Sequence, residues 1–236
     1  MKIGLFDSGL GGINVLNELL KTYPNNEYIY YGDTKNLPYG NKTKEELLSF
    51  AKEIISFFEK KQVDLIIIAC GTMSSNCLKE IKEMTNIKVI DIISPTINYL
   101  KERKYNKTLV FGTNRTIESH IFSKNLSNII EISTPEFVPM IENNNIDENI
   151  IKNYLEDKLD IDYLILGCTH YPLLIPYFNK YLKNTKIIDM GKILVNYINL
   201  SNNSNNKIDL YFTKIDNNLK NNINKIIIMN YNLNKI

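Results

Sequence analysis

The sequence predicts an α/β fold made of two pseudo-symmetric lobes, each a mainly parallel sheet flanked by helices, with a cleft between them. Three observations lead there. Short β-branched runs alternate with segments of helical period over nearly the whole length, the residues that end the apolar runs are small, polar or reactive, and two of those ends resemble each other.

Apolar runs predict strands over 2–6, 28–31, 65–69, 88–92, 108–111, 163–166, 186–188, 208–212 and 225–228. The clearest helix covers 44–61, where Leu47, Leu48, Ala51, Ile54, Ile55 and Phe58 form one stripe and Thr43 with Glu46 fit a capping box. Strand–helix alternation implies parallel sheets covered on both faces. Sheets of that kind hold ligands at the carboxyl ends of their strands. The candidate site is therefore drawn from Asp7-Ser8-Gly9, Gly32-Asp33-Thr34, Cys70-Gly71-Thr72, Gly112-Thr113 and Gly167-Cys168-Thr169-His170.

Ile66-Ile67-Ile68-Ala69-Cys70-Gly71-Thr72 and Leu164-Ile165-Leu166-Gly167-Cys168-Thr169-His170 each put a thiol at the end of a buried apolar run, followed by hydroxyl-bearing residues. This repetition suggests two related halves facing one another. The first lobe is expected at 1–92, completed by 205–236, and the second at 93–204. The polar stretch 201–206 reads as a solvated loop.

The 236 residues are 44% hydrophobic and 23% charged, ordinary globular usage, and the net charge of +2 leaves no electrostatic footprint for nucleic acid. A small molecule is the expected partner. The longest apolar run, 65–70, is strand-sized against the ~20 residues a membrane helix needs, so no membrane association is expected. Three cysteines without a secretory signal point to a reducing, cytoplasmic setting. Abundant Asn, Ile, Lys and Tyr with no Trp reflect nucleotide bias more than chemistry.

A lone cysteine after a buried strand is ordinarily a packing residue. Two in matching contexts are a different observation. Cys77, on the helix after Cys70, lacks that context and is assigned to packing. The thiolate is the reactive form, and the segments after Cys70 and Cys168 both read as helix starts whose free N–H groups favour the anion, the second with Pro172 in its first turn. A redox couple would ordinarily use Cys-x-x-Cys, which is absent. A zinc site from Cys70, Cys168 and His170 lacks a convincing fourth ligand, so no metal is assigned. A hydrolase with a cysteine nucleophile and histidine base leaves one thiol unexplained. Stereoinversion at a carbon uses both: one thiolate removes a proton from one face while the opposite thiol delivers one to the other. Gly9-Leu10-Gly11-Gly12 lacks dinucleotide-loop spacing and reads as a close-approach turn into the first helix.

With these residues in view, the sequence resembles the glutamate racemase family within the aspartate/glutamate racemase superfamily. The motifs are Phe6-Asp7-Ser8-Gly9-Leu10-Gly11-Gly12, Tyr31-Gly32-Asp33-Thr34, Pro38-Tyr39-Gly40, Ala69-Cys70-Gly71-Thr72, Pro139-Met140-Ile141-Glu142 and Leu166-Gly167-Cys168-Thr169-His170-Tyr171-Pro172, in family order. Beyond residue 200 the match fades to Leu210-Tyr211-Phe212-Thr213.

The resemblance implies an isomerase that interconverts L- and D-glutamate without a cofactor, supplies D-glutamate for peptidoglycan, and works as a cytoplasmic homodimer. It implies Cys70 and Cys168 as the catalytic pair, Asp7 as the acid beside the first, and His170 with Glu142 supporting the second. It also implies a substrate pocket of Asp7, Ser8, Tyr39, Gly40, Gly71, Thr72, Thr113, Thr169 and His170. Backbone N–H groups and hydroxyls at Ser8, Gly40, Thr72 and Thr169 suit the carboxylates of such a substrate. Most members carry Asn where this chain has Gly71, which keeps its backbone N–H and leaves space for a water in the amide's place. Aspartate racemases tend to have Glu at the position of His170, which favours glutamate. Aspartate racemase and a non-catalytic amino-acid-binding protein are the alternatives.

Overall fold

The structure, a computed structural model, describes residues 1–156, 160–201 and 206–236. It opens with β1 (Lys2–Asp7), α1 (Gly12–Thr22), β2 (Glu27–Gly32), α2 (Lys44–Lys61), β3 (Leu65–Ile68), α3 (Gly71–Met84) and β4 (Lys88–Asp91). It continues through α4 (Ile93–Lys101), β5 (Thr108–Gly112), α5 (Asn114–Glu118), β6 (Ile129–Ser133), α6 (Phe137–Glu142), α7 (Glu148–Leu155), β7 (Tyr163–Leu166), α8 (Ile175–Tyr181), β8 (Lys186–Asp189) and α9 (Met190–Tyr197). It closes with β9 (Lys207–Phe212), α10 (Asn217–Ile226) and β10 (Asn232–Lys235).

Among the described residues, these strands form two sheets in the orders β10-β9-β2-β1-β3-β4 and β6-β5-β7-β8, every pairing parallel. The fold is therefore α/β with two lobes. The C-terminal stretch returns to the first sheet, where β9 lies beside β2 with Gly32 opposite Phe212.

Because side chains alternate along a strand, each strand serves two cores. On β3, Leu65 and Ile67 face a central core, while Ile66 and Ile68 face the outer core under α2 and α3. On β7, Ile165 faces the central core, and Leu164 with Leu166 face the outer core under α6, α7 and α8. Residues of α1, α4 and α9 join the central core, so it fastens the lobes together. Cys70 and Cys168 continue the outward-facing register of their strands, which is why each is buried at the sheet's end.

Thr43 accepts from the Glu46 N–H, and the Glu46 carboxylate accepts from the Thr43 N–H, the expected capping box, worth about 1 kcal/mol at a helix start. Cys77 is fully buried on α3, packed as expected.

Two local expectations fail. The run 225–228 is not a strand: Asp216 caps α10 and Leu219 and Ile223 are buried at helical spacing, so Lys225 and Ile226 complete that helix and Ile228 is exposed. The edge strands β6 and β10 were not anticipated. The loop expected at 201–206 falls mainly on 202–205, outside the described residues. Among the described residues, no helix is long and apolar enough to cross a membrane.

Candidate active site

The ends of β1, β3, β5 and β7 converge on a cavity of about 20 Å3 between the lobes. Ser8, Tyr39, Gly40, Cys70, Gly71 and Thr72 line it from one lobe, and Thr113, Cys168, Thr169 and His170 from the other. Asp7 and Glu142 stand behind this wall. Leu37, Pro38 and Val138 complete it. None of the three is assigned to the site from sequence, because Pro38, which opens the Pro38-Tyr39-Gly40 motif, and Leu37 and Val138, which adjoin that motif and Pro139–Glu142, carry no reactive groups. Hollows of about 440 and 320 Å3 exist elsewhere, but neither reaches a thiol; the smaller touches the far side of His170 and Glu142.

Cys70 is the residue before α3, in extended conformation. Burial pushes its thiol above the ordinary value, and the charges of Asp7 and Cys168 push the same way. The N–H groups of Met73 and Ser8 pull against them without prevailing. The helix start after Cys70 thus supplies the expected donor, but desolvation is the larger effect.

Asp7 is fully buried and has three partners. One carboxylate oxygen accepts from the N–H groups of Gly9 at 3.2 Å and Gly12 at 3.0 Å; the other accepts from the Thr169 hydroxyl of the opposite lobe at 3.2 Å. Tyr30, whose hydroxyl burial holds far above its ordinary pKa, donates to the Gly9 carbonyl at 2.5 Å. A β-carbon at Gly11 would stand 2.6 Å from His170 Nδ1 and overlap the Thr169 hydroxyl. The glycine segment is therefore the close-approach turn the sequence implied.

The Cys168 side differs. No α-helix begins directly after it; a single 3-10 turn, Tyr171–Leu174, with Pro172 in its first turn, precedes α8. The expected helix-terminal stabilisation is replaced by a side chain. Cys168 Sγ lies 3.6 Å from His170 Nδ1, and His170 Nε2 lies 2.6 Å from Glu142 Oε1. Burial alone would lower the His170 pKa, but the hydrogen bonds and charges of Cys168 and Glu142 outweigh it and hold the imidazole well above 6.5. Burial opposes ionisation of Glu142 as well, yet His170 and the Leu10 N–H keep its carboxyl below 4.5. A protonated His170 thus points Nδ1–H at the Cys168 sulfur, with Glu142 fixing the ring.

The remaining wall is held by hydroxyls and one buried carboxylate. Thr72 and Thr113 hydroxyls meet across the lobes at 2.9 Å, and Thr113 also meets Thr116 at 3.0 Å. The Tyr39 hydroxyl donates to Asp33 at 2.6 Å, while Thr213 from the C-terminal return donates to the other Asp33 oxygen at 2.9 Å. The sequence marks Asp33 as a polar strand end within the Tyr31–Thr34 motif and Tyr30 as a strand residue, and it does not show the partners Thr213 and Gly9 that the fold brings to them. At Gly71 the position a β-carbon would take is filled by the Gly167 carbonyl oxygen, so the two turns pack closely there. Among the described residues, no three His, Cys, Asp or Glu side chains are grouped as metal ligands.

A family model described as Asp/Glu/Hydantoin racemase matches residues 8–198. A curated protein named glutamate racemase from Hydrogenobaculum sp. (strain Y04AAS1) is 36% identical over 248 aligned residues, covering 99% of this chain and 95% of that protein. The crystal structure of glutamate racemase from Campylobacter jejuni subsp. jejuni superposes with a TM-score of 0.85 at 34% identity, covering 94% of this chain and 96% of that one. That of glutamate racemase from Francisella tularensis subsp. tularensis SCHU S4, in complex with D-glutamate, gives 0.87 at 28% identity, covering 100% and 96%.

Proposed function

The chain belongs to the Asp/Glu/hydantoin racemase family, and from that premise we propose that it is a glutamate racemase that inverts the α-carbon with two cysteines. The observation that carries the reading is that Cys70 and Cys168 line one cavity from opposite lobes.

In the proposed reaction, a thiolate takes the α-proton: the Cα–H bond breaks and an S–H bond forms. The facing thiol then gives up its proton to the opposite face of Cα and becomes the thiolate, ready for the reverse direction. Cys168, beside protonated His170, begins as the base; Cys70, whose ionisation burial opposes, begins as the acid. Asp7 holds the Gly9–Gly12 turn beneath them, and Glu142 holds His170. The hydroxyls and N–H groups of Ser8, Gly40, Thr72, Thr113 and Thr169 take the substrate's carboxylates, with Tyr39 and Gly71 completing the pocket. A cavity of about 20 Å3 has room for roughly one water, so the lobes part to admit glutamate and close on it.

We take the lobes to be 1–92 with 205–236, and 93–204; the return of β9 and β10 to the first sheet supports that division. The family resemblance further supports a cytoplasmic homodimer that provides D-glutamate for peptidoglycan.

Purified protein incubated with L-glutamate and no added cofactor should bring it to an equal mixture of enantiomers, read by chiral chromatography, while L-aspartate stays unchanged. Inversion of aspartate alone would assign the aspartate reaction. Tight glutamate binding with no inversion would make the protein a non-catalytic binder.

A further inference from the structure

We propose that Thr213 is a positioning residue for substrate binding: its hydroxyl fixes the Asp33 carboxylate that holds Tyr39, and through Tyr39 it sets the wall of the cavity that Tyr39 and Gly40 form. The inference rests on the glutamate reading above and deepens it by giving the C-terminal return a part in the pocket. Thr213 lies beyond the span 8–198 matched by the family model.

Asp33 is 2% exposed, and both of its carboxylate oxygens are occupied. One accepts from the Tyr39 hydroxyl at 2.6 Å and the other from the Thr213 hydroxyl at 2.9 Å. Asn36 Nδ2 reaches both oxygens, at 3.1 and 2.9 Å, and so does not tell them apart. The rotation of the carboxylate is therefore set by Tyr39 on one side and Thr213 on the other.

The Thr213 hydroxyl is itself directed. It accepts from the Lys35 N–H at 2.9 Å, which leaves its proton for Asp33. The backbone around it is stitched to the same turn. The Thr213 N–H donates to the Gly32 carbonyl at 3.2 Å, and the Thr34 hydroxyl donates to the Lys214 carbonyl at 2.6 Å while accepting from the Lys214 N–H at 3.0 Å. The end of β9 is thus locked to the end of β2, and strand pairing decides where the donor to Asp33 stands.

Beyond Asp33, Tyr39 has little freedom. Its buried ring stacks on Phe50 with centroids 5.5 Å apart. Burial and the Asp33 charge hold its hydroxyl far above the ordinary pKa, so it stays a donor. The next residue, Gly40, packs on the second lobe so closely that a β-carbon there would stand 2.8 Å from Thr113 Cβ. A turn of the Asp33 carboxylate therefore passes through Tyr39 to Gly40, whose N–H the proposed reaction uses for a substrate carboxylate. This chain is separate from the relay of Glu142, His170 and Cys168, so it should act on binding more than on proton transfer.

Thr213→Val keeps the side chain's shape and removes the hydroxyl. KM for glutamate should rise about tenfold, the order expected when a buried charged group loses one hydrogen bond, with kcat falling less than about threefold. Thr213→Ser keeps the hydroxyl and should stay within about twofold of the parent in both. The decisive reading is a cycle with Tyr39→Phe, which removes the other end of the chain. Thr213→Val added to Tyr39→Phe should raise KM no further, because its effect passes through the missing hydroxyl. Effects on KM that multiply overturn the proposal. So do a Thr213→Val enzyme with the parent's KM, a loss confined to kcat, or Thr213→Ser as impaired as Thr213→Val. Should Thr213→Val not fold, a crystal structure of the parent with glutamate decides: Thr213, Asp33 and Tyr39 still joined supports the proposal, and a broken chain overturns it. If the parent inverts no glutamate, the functional reading fails, and crystal structures of the parent and Thr213→Val still judge the positioning claim. A Tyr39 hydroxyl that leaves Asp33 in the variant supports it, and an unchanged contact overturns it.

Discussion

Cys70 and Cys168 each continue the outward register of a buried parallel strand, yet what surrounds them is not the same. Around Cys70 the donors are backbone N–H groups of Met73 and Ser8, and they lose to burial and to the Asp7 charge. Around Cys168 a side-chain relay, Glu142 to His170 to sulfur, brings a positive charge within 3.6 Å. The scaffold repeats the thiol, and the loops decide which charges surround it. On the proposed two-thiol reading, that difference assigns Cys168 the part of first base and Cys70 that of first acid.

The most severe way to break the comparison is to remove either sulfur. Cys70→Ser and Cys168→Ser should each lower glutamate inversion by about 10³-fold or more, since positioned acid–base groups contribute 10²–10⁴; initial rates by circular dichroism measure it. A residual rate above a tenth of the parent's in either variant would mean that one thiol suffices.

The relay is next. His170→Ala should reduce kcat about 100-fold, and Glu142→Gln less, because the amide still hydrogen-bonds the ring. Glu142→Gln also carries a pH signature. His170, held above 6.5, gives stability that is complete below pH 6.5 and lost as pH rises through its folded value. Glu142, held below 4.5, gives stability that is complete above pH 4.5 and lost as pH falls through its folded value. Both contributions are whole only between those limits. The loss from Glu142→Gln should be largest there, about 1–3 kcal/mol, at the lower end because the side chain is 20% exposed. Thermal melts of both proteins from pH 4 to 9 read it, and a loss independent of pH would contradict the pairing.

A smaller change sharpens the Cys70 side. Thr169→Val removes the hydroxyl that joins Asp7 to the opposite lobe, at a cost of about 1 kcal/mol. Substrate KM should rise more than kcat falls, since Thr169 also lines the cavity. Cys77→Ala is the least consequential: it empties a packed position on α3, costing about 1 kcal/mol in denaturant melts with kcat unchanged.

Much of this contrast was legible in the chain. Continuous apolar runs ending in Cys70 and Cys168 mark a strand in each sheet, and Thr43 with Glu46 marks the start of α2. What was not legible is long-range. The hydroxyl of Tyr30 finds the Gly9 carbonyl only once β2 lies beside β1, and Asp33 joins Tyr39 to Thr213 only after the C-terminal return has been laid beside β2. The run at 225–228 was misread because four residues do not distinguish a strand from a helix end, and the capped turn at Asp216 decides it. Asn232–Lys235 has a strand's geometry without a strand's composition, because β9 supplies the ladder. The turn after Cys168 resembles a helix start in sequence but is a single 3-10 turn, whereas His170 and Glu142, which the motifs already pair, do lie 2.6 Å apart.

The central claim, that the two thiols differ in readiness, is tested most directly by α-deuterium exchange in heavy water, followed by proton NMR on L- and D-glutamate with the single-serine variants. Cys70→Ser keeps Cys168 and its imidazolium, so it should still exchange the α-proton of one enantiomer without inverting it, while Cys168→Ser, left with the thiol whose ionisation burial opposes, should exchange neither at a comparable rate. Equal exchange by both variants, each on its own enantiomer, would contradict the account.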